Sequence, residues 1–273
     1  GDNIVEGGNL NANQGRVELG SVEQSGTVAL ISTADGFTAD YGTLDSFGEL
    51  RLTQSASVDI SGEGSGNLSF QSGALFILDN SAIISNVTGG DDGGEVRVNA
   101  SDSAEIRGTR FGPFPTGFFN QGEVNSTGQV GAVTLDVGML QIIDNAQIES
   151  AALGQGNGSP LAIQADDIEI SGFSTGIFVE TGLEATGDAG NIDLQVDGAL
   201  QVRDFAKISN RALRQGDGGR LNIRANDIEL SGFSAGIFAE TGLEATGDAG
   251  NIDLQVARAL QVRDFAKISN RTL

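Results

Sequence analysis

Several residue types that carry chemistry in other proteins are missing from this chain, or nearly so. Its 273 residues include no cysteine, histidine or tryptophan, one tyrosine, one methionine and three prolines. Without cysteine there are no disulfides, zinc–thiolate sites or thiol redox centres. The absence of histidine removes the commonest general base, and with it the usual serine- and zinc-hydrolase arrangements. Scarce proline suits a fold in which almost every strand is central and needs its backbone N–H group.

Basic residues are scarce too. Fifteen lysines and arginines stand against 37 acidic residues, which gives a net charge of −22. Nucleic acids and anionic lipid headgroups both require clusters of basic side chains, so we expect neither as a partner. Surface charge that keeps a long stacked structure soluble explains the acidity better than a dedicated cation site does. The chain has no run of 18 apolar residues, so we expect no transmembrane segment.

An internal repeat is the most informative feature that is present. Residues 171–213 return as residues 231–273 with only five of 43 positions changed. Such self-similarity is typical of chains whose units stack on copies of themselves. Within each repeat, a Gly-rich turn precedes the apolar residue that begins an alternating strand. These first residues are Leu68, Val96, Val133, Leu161, Ile192, Leu221 and Ile252, at intervals of 28, 37, 28, 31, 29 and 31 residues.

Apolar and polar residues alternate inside each coil. The apolar members of one coil are Ile192, Leu194, Val196, Leu200, Val202, Ala206 and Ile208. A period of two indicates three short strands with one apolar face each, and no stretch shows the period of a helix. Sandwiches and barrels have no reason to repeat a side chain at such intervals, whereas a parallel β-solenoid stacks like residues on each other. The sequence therefore predicts an all-β, single-stranded parallel β-helix of nine or ten coils.

We expect one continuous solenoid over residues 1–273, as a piece of a longer protein. Residues 1–46 indicate shorter, irregular coils, and residues 47–273 alternating two-coil repeats. The runs Gly26-Thr27-Val28 and Gly48-Glu49-Leu50 resemble the beginnings of two early coils. No signal peptide opens the chain, so we expect its targeting signals outside this piece.

The acidic turns raise the question of calcium. Calcium-binding nonapeptide repeats resemble residues 187–194, but the aspartate here comes one place late and the period is longer than nine residues. Weak cation binding stays open at these turns, beside the simpler interpretation of solvated carboxylates. The residues concerned are Asp188, Asp193, Asp248 and Asp253. We predict no metal site and no cofactor.

Parallel β-helices also serve as polysaccharide lyases and glycosidases. A glycosidase needs two carboxylates about 5 to 10 Å apart in one groove. This chain has few aromatics for a sugar platform, and its acids recur with the repeat, as Glu180 does in Glu240. An active site is ordinarily a unique break in a repeat. We therefore predict no catalytic residue, with a carbohydrate-active β-helix kept as an alternative.

One interval is longer than the others, and the extra chain is rich in phenylalanine. Its candidate partner-contact residues are Phe111, Phe114, Phe118 and Phe119, within residues 109–129. Loops on a rigid scaffold often carry recognition. Phe118 and Phe119 align with Ile177 and Phe178 of a later coil, which favours a role in covering the core for this pair. For the other two phenylalanines both roles stay open.

The order of the motifs resembles one known family. The likeness begins at Gly7-Gly8-Asn9-Leu10-Asn11-Ala12 and residues 15–22, and continues through residues 47–62 and 185–191. These runs are similar to the region that follows the secretion domain in cyanobacterial proteins of the filamentous haemagglutinin type. The resemblance implies a right-handed parallel β-helix in a large exoprotein, described as an adhesin, a haemagglutinin or S-layer-like.

The same resemblance implies a route and a location. Such proteins leave a Gram-negative-type cell by two-partner secretion, through an outer-membrane β-barrel transporter that recognises an N-terminal domain. That domain is expected outside this piece, and the rod itself is expected to be secreted or attached to the cell surface. We therefore predict a non-enzymatic, adhesin-like rod that contacts cell-surface glycans or proteins. A passive structural spacer is a further alternative.

Overall fold

The structure is a computed structural model that describes residues 1–33, 36–42 and 44–272. Strands and turns make up its regular structure, and the described residues form no helix. The described part of the chain accordingly has no helix able to span a membrane. The strands are β1 (Asn3–Glu6), β2 (Asn9–Asn11), β3 (Arg16–Gly20), β4 (Ala29–Thr33), β5 (Gly36–Asp40), β6 (Glu49–Thr53), β7 (Ser57–Asp59), β8 (Asn67–Leu78), β9 (Ala82–Ile84), β10 (Val96–Arg107), β11 (Thr116–Gly122), β12 (Val133–Ile143), β13 (Ala146–Ala152), β14 (Leu161–Ser171), β15 (Gly176–Thr181), β16 (Ile192–Arg203), β17 (Lys207–Ala212), β18 (Leu221–Ser231), β19 (Gly236–Thr241), β20 (Ile252–Val262) and β21 (Lys267–Arg271).

Two long parallel sheets run through the molecule. Sheet A has the order β1-β6-β8-β10-β12-β14-β16-β18-β20, with β3 also paired to β8. Sheet B has the order β2-β7-β9-β11-β13-β15-β17-β19-β21. Each regular coil therefore gives one strand to each sheet and bonds to the coils on either side of it. This arrangement confirms the predicted all-β parallel solenoid.

The apolar residues that begin the coils lie in one column. In register along sheet A, the column reads Leu68, Val96, Val133, Leu161, Ile192, Leu221 and Ile252. The turns differ in length and account for the unequal intervals, so the strands stay in register. A slip of one residue would turn every inward side chain outward, so the buried column itself enforces this register.

The core lies between the two sheets and follows the predicted alternation. In the coil of β16 and β17, the seven residues predicted to point inward are each 4% exposed or less. Sheet A bends within this coil, where the register shifts between Val196 and Ala199. The bend joins the first two of the three predicted strands into one long strand. The third predicted strand corresponds to β17 of sheet B.

The first 46 residues differ from the prediction. Strand β3 pairs with the first half of β8, through Val17 and Leu68, and β6 pairs with the second half, through Leu50 and Leu75. The two short strands are therefore halves of one coil. The chain between them includes the antiparallel hairpin of β4 and β5. The run 26–28 lies in this insertion and begins no coil.

The predicted number of coils was consequently too high. The described residues contain seven uninterrupted coils, from β8–β9 to β20–β21, rather than nine or ten. The sequence pattern counted the second half of the interrupted coil, at Leu50, and part of the insertion, at residues 26–28, as separate units. Leu50 points inward as expected, but it belongs to the column of Leu75 and not to the column of coil-beginning residues.

Candidate interaction surface beside sheet B

Five exposed phenylalanines follow the edge where the coils turn from sheet A into sheet B. They are Phe111, Phe173, Phe205, Phe233 and Phe265. Neighbouring ring centroids lie 5.7 to 6.4 Å apart, and the ring planes are inclined at 43° to 68°. The exposed fraction of these residues ranges from 42% to 79%. We call this row the phenylalanine ladder.

The backbone places the ladder residues but does not require phenylalanine. Asp204 and Phe205 have φ angles of 53° and 73°, in the left-handed region. Asp144 and Asn145 make the same turn two coils earlier, with φ angles of 50° and 58°. Asparagine tolerates this conformation, whereas a bulky side chain costs about 1–2 kcal/mol there. Three ladder members, Phe111, Phe205 and Phe265, have left-handed φ angles, and the last two follow an aspartate at a turn position that suits asparagine better.

The long interval in the sequence supplies the first ladder residue. Eight residues, 108–115, connect β10 to β11, where four residues, 172–175, connect β14 to β15. The side-chain amide of Asn145 in the next coil donates to the carbonyl oxygens of Gly112 and Phe114, at 3.4 and 3.1 Å. The loop therefore extends over that coil, and Phe111 reaches Phe173 in the following one. In this way the ladder passes the coil of β12 and β13, which has asparagine at the turn.

The four phenylalanines predicted from the insertion do not act together. Phe118 is 1% exposed and pairs with Ile83 and Ile148 in sheet B. Its predicted place over the core is confirmed, and Phe119 is partly buried beside it on the outer face. Phe111 and Phe114 are exposed, but Phe111 alone joins the ladder. A partner-contact role for the four residues stays a prediction.

Two kinds of coil alternate on the outer face of sheet B. Strands β15 and β19 present glycine, phenylalanine and glutamate, whereas β17 and β21 present lysine, serine and arginine. The outward residues in register are Gly176, Phe178 and Glu180, then Lys207, Ser209 and Arg211, then Gly236, Phe238 and Glu240, then Lys267, Ser269 and Arg271. The pattern repeats every two coils, which is about 10 Å at the usual strand spacing. Both lysines of the chain lie on this face.

A groove of about 520 Å³ separates this face from the ladder. It is lined by Phe233 and Phe265 of the ladder, by Phe178 and Phe238, and by basic side chains that include Lys207, Lys267 and Arg211. The ammonium group of Lys207 lies 5.5 Å from the centroid of the Phe238 ring. At Gly236, φ is 153° and an added Cβ would lie 2.0 Å from a backbone oxygen of the next coil. Glycine is therefore required at that position.

The charges in the groove are not balanced by acids. No described carboxylate lies within 4.0 Å of either lysine, whereas Arg211 has Glu180 at 3.8 Å. Glu240 is the acid among the lining residues, and its register neighbours on both sides are Arg211 and Arg271. Ten of the 15 basic residues of the chain lie within residues 203–271, and none lies within residues 111–202. This end of the solenoid is therefore much less acidic than the rest.

Two glutamates on the same face have unusual environments. Burial raises the pKa of Glu149, and the charge of Glu180 raises it further, against a hydrogen bond from the Gln121 side chain at 2.6 Å. Burial also raises the pKa of Glu180, against the opposite effect of Arg211. Such carboxyls hold a proton more readily than exposed ones, which is the property that a general acid requires.

The acidic turns act as connectors between coils. A side-chain oxygen of Asn157, Asp188 or Asp217 accepts a hydrogen bond from a backbone N–H group in the next coil. The donors are, in the same order, the backbone N–H groups of Asp188, Asp217 and Asp248, at N···O distances of 2.9, 2.8 and 2.8 Å. Asp193 similarly accepts from the amide of Asn222 at 2.7 Å. Across the described ranges, no group of three or more acidic side chains is arranged to hold a metal ion.

The chain matches no protein-family model, no curated protein and no solved structure. Sequence reasoning did not find the ladder, although a signal was present. Ile143, Ser171 and Arg203 are register partners at the ends of three successive strands of sheet A. The residue two places after each of them is Asn145, Phe173 and Phe205, respectively. Aligning the turns by register brings these phenylalanines together before any coordinates are known.

Proposed function

We propose that this chain is a rigid, rod-shaped segment of a secreted or surface-attached adhesin-like exoprotein of the filamentous haemagglutinin type. The observation that carries the proposal is the phenylalanine ladder, five exposed rings in one line on a stiff scaffold. Scattered exposed apolar residues are normal on soluble proteins, but a contiguous apolar strip is typical of an interaction site.

The energetics of the turns support a binding role. Phe205 and Phe265 adopt left-handed backbone conformations and still leave 42% and 79% of their surface exposed. Their burial is partial, whereas Asn145 at the same turn is buried and hydrogen-bonded without the conformational cost. Unfavourable backbone conformations of this kind concentrate at functional sites. A function outside the fold therefore explains these side chains better than stability does.

The scaffold suits a projecting role as well. Seven uninterrupted coils of the described chain stack in register, so contacts repeat along the solenoid and its faces stay fixed relative to one another. Under this proposal the partners are cell-surface glycans or proteins. Export would use an outer-membrane β-barrel transporter, which acts through an N-terminal domain outside this piece. The chain itself would perform no catalysis.

Adhesion of the purified chain tests the proposal. Beads coated with the full chain are expected to bind cells or a glycan array, and beads coated with an F173S/F233S variant are expected to lose most of that binding. The matched control is L183S/L243S, which removes two exposed leucines outside the ladder. Absence of binding to any surface would favour the passive spacer. Equal loss in both variants would remove the ladder from the explanation.

A carbohydrate-active β-helix is the second candidate. The observation in its favour is the pair Glu149 and Glu180, two neighbouring carboxyls whose pKa is raised by burial. Incubation of the chain with a panel of polysaccharides, followed by measurement of new reducing ends, tests this function. Cleavage of a polysaccharide by the protein that disappears in E149Q and in E180Q would establish the enzymatic function and replace the adhesin proposal.

A further inference from the structure

We infer that the groove beside the ladder binds a linear acidic polysaccharide in which carboxylated and neutral sugars alternate. This inference rests on the proposed adhesive function and names the ligand class of that same surface. Three properties of the groove carry it, namely its aromatic lining, its uncompensated lysines and its two-coil period.

The aromatic lining suits sugars. Phe178 and Phe238 lie on the sheet face, and Phe233 and Phe265 belong to the ladder, so rings come from two different elements that line the groove. Pyranose rings have apolar C–H faces that pack on aromatic side chains and hydroxyl edges that stay hydrated. Ser209 and Ser234 add hydroxyl groups to the lining. The mixture of rings, hydroxyls and charges is better suited to a carbohydrate than to a purely apolar ligand.

The lysines make the ligand anionic. Lys207 and Lys267 have no described carboxylate within 4.0 Å, in a chain with more than twice as many acids as bases. Lys207 is partly buried and lies over the Phe238 ring. Glu240 is the acid among the lining residues and lies in register between Arg211 and Arg271, so the groove keeps an excess of positive charge that an anion can neutralise. At physiological salt the screening length is about 8 Å, so these near charges outweigh the distant acids of the chain.

The spacing of the charges favours a linear polymer. Lys207 and Lys267 occupy the same column two coils apart, which is about 10 Å along the solenoid. Between them lies Gly236, which presents no side chain. An extended polysaccharide with a carboxylate on every second sugar presents charges at a comparable interval. A neutral sugar then lies over Gly236, against the ring of Phe238.

Other linear or repetitive partners fit less well. A nucleic acid carries a charge at every phosphate, so its charges are spaced far more closely than the two lysines. A second copy of this chain also carries a net charge of −22, so side-by-side association is opposed by repulsion. A globular protein has no reason to match a surface that repeats every two coils. An alternating acidic polysaccharide is compatible with all three properties.

Binding of hyaluronan oligosaccharides to the full chain tests the inference, because a glucuronate occupies every second position in them. Affinity is expected to fall about tenfold for the same oligosaccharides with their carboxyl groups reduced to alcohols, and for the variant K207Q/K267Q. The matched variant R220Q/R224Q removes Arg220, directly before β18, and Arg224 of that strand, and is expected to change affinity by less than about twofold.

Several results would overturn the inference. Equal affinity for the reduced oligosaccharides would show that the carboxylates are not recognised. Equal losses in the two charge variants would show an effect of net charge alone. Tighter binding of heparin, which carries a far higher charge density, would contradict the two-coil spacing. Adhesion of chain-coated beads that hyaluronan does not inhibit would refute this ligand and leave the proposed function standing. Absence of adhesion to any surface, with no oligosaccharide added, would refute both.

Discussion

The turns at Asn145 and at Phe205 have nearly the same backbone and very different side chains. Each follows an aspartate with left-handed φ, and each connects a strand of sheet A to a strand of sheet B. Asn145 is 8% exposed, and its amide donates to two carbonyl oxygens of the neighbouring loop. Phe205 is 42% exposed, and its aromatic contacts are the exposed ladder rings of Phe173 and Phe233.

The difference distinguishes residues that stabilise the solenoid from residues that are proposed to bind a partner. Asparagine at this turn satisfies backbone groups and suits the conformation, so it contributes to the fold. Phenylalanine at the same turn satisfies no backbone group and adds about 1–2 kcal/mol of conformational cost, which the two ring contacts of Phe205, at about 0.5–1.5 kcal/mol each, roughly balance. The inward residues on the following strands are the same kind in both coils. Stability therefore resides in the strands, and recognition in the turns.

The largest expected effect tests whether both coils depend on the same core. Ile148 and Ile208 occupy one column of sheet B and are fully buried. Replacing either by alanine is expected to lower the free energy of unfolding by about 2–5 kcal/mol, since a cavity replaces packed methyl groups. Urea denaturation of I148A and I208A measures this. A large loss in one variant and none in the other would mean that the two coils are not equivalent.

A smaller effect tests the cost of phenylalanine at the asparagine turn. The variant N145F loses the two hydrogen bonds to the loop 108–115 and gains a bulky side chain at a φ of 58°. Its free energy of unfolding is expected to fall by about 2–3 kcal/mol. The control N145G loses the same hydrogen bonds without the conformational cost. Equal stability of the two variants would show that phenylalanine is not disfavoured at these turns.

The smallest effect concerns the buried carboxyl of Glu149. Its pKa is raised in the folded protein, so the ionised form destabilises the fold above that pKa and the penalty disappears as the pH falls toward the ordinary glutamate value. E149Q is therefore expected to melt at a higher temperature than the parent at about pH 7, with the difference shrinking toward about pH 4. Thermal melts at several pH values measure it.

The exposed Glu184 provides the control for that titration. E184Q makes the same chemical change in a solvated turn, so its melting temperature at about pH 7 is expected to stay close to that of the parent. If E149Q were no more stable than the parent at neutral pH, burial would not raise the pKa of Glu149 as described. A difference that grows on acidification would contradict the sign of the effect.

Much of the fold was predictable because apolar residues and Gly-rich turns recur at regular intervals in the sequence. The column from Leu68 to Ile252 and the inward residues of β16 and β17 follow from period-two alternation and the Gly-rich turns. The interrupted first coil was not predictable in this way. Val17 and Leu50 both follow glycine-containing runs, and nothing in that local pattern tells which half of β8 each one pairs with.

The candidate surface was harder to predict for a different reason. Outward residues at turns do not obey the apolar alternation, so Phe173 and Phe205 are inconspicuous within their repeats. Phe111 is harder still, because its place depends on a loop that extends over the next coil. The uncompensated lysines also require the register of four strands before their isolation from acids becomes visible.

The free energy of unfolding of the variant F205N/F265N tests the central claim most directly. If the phenylalanines at these turns serve binding rather than the fold, returning both to asparagine leaves the stability unchanged or raises it, because the relief of backbone strain balances the lost ring contacts. A variant that is less stable than the parent by about 2 kcal/mol or more would show that the ladder holds the coils together, and would contradict the account.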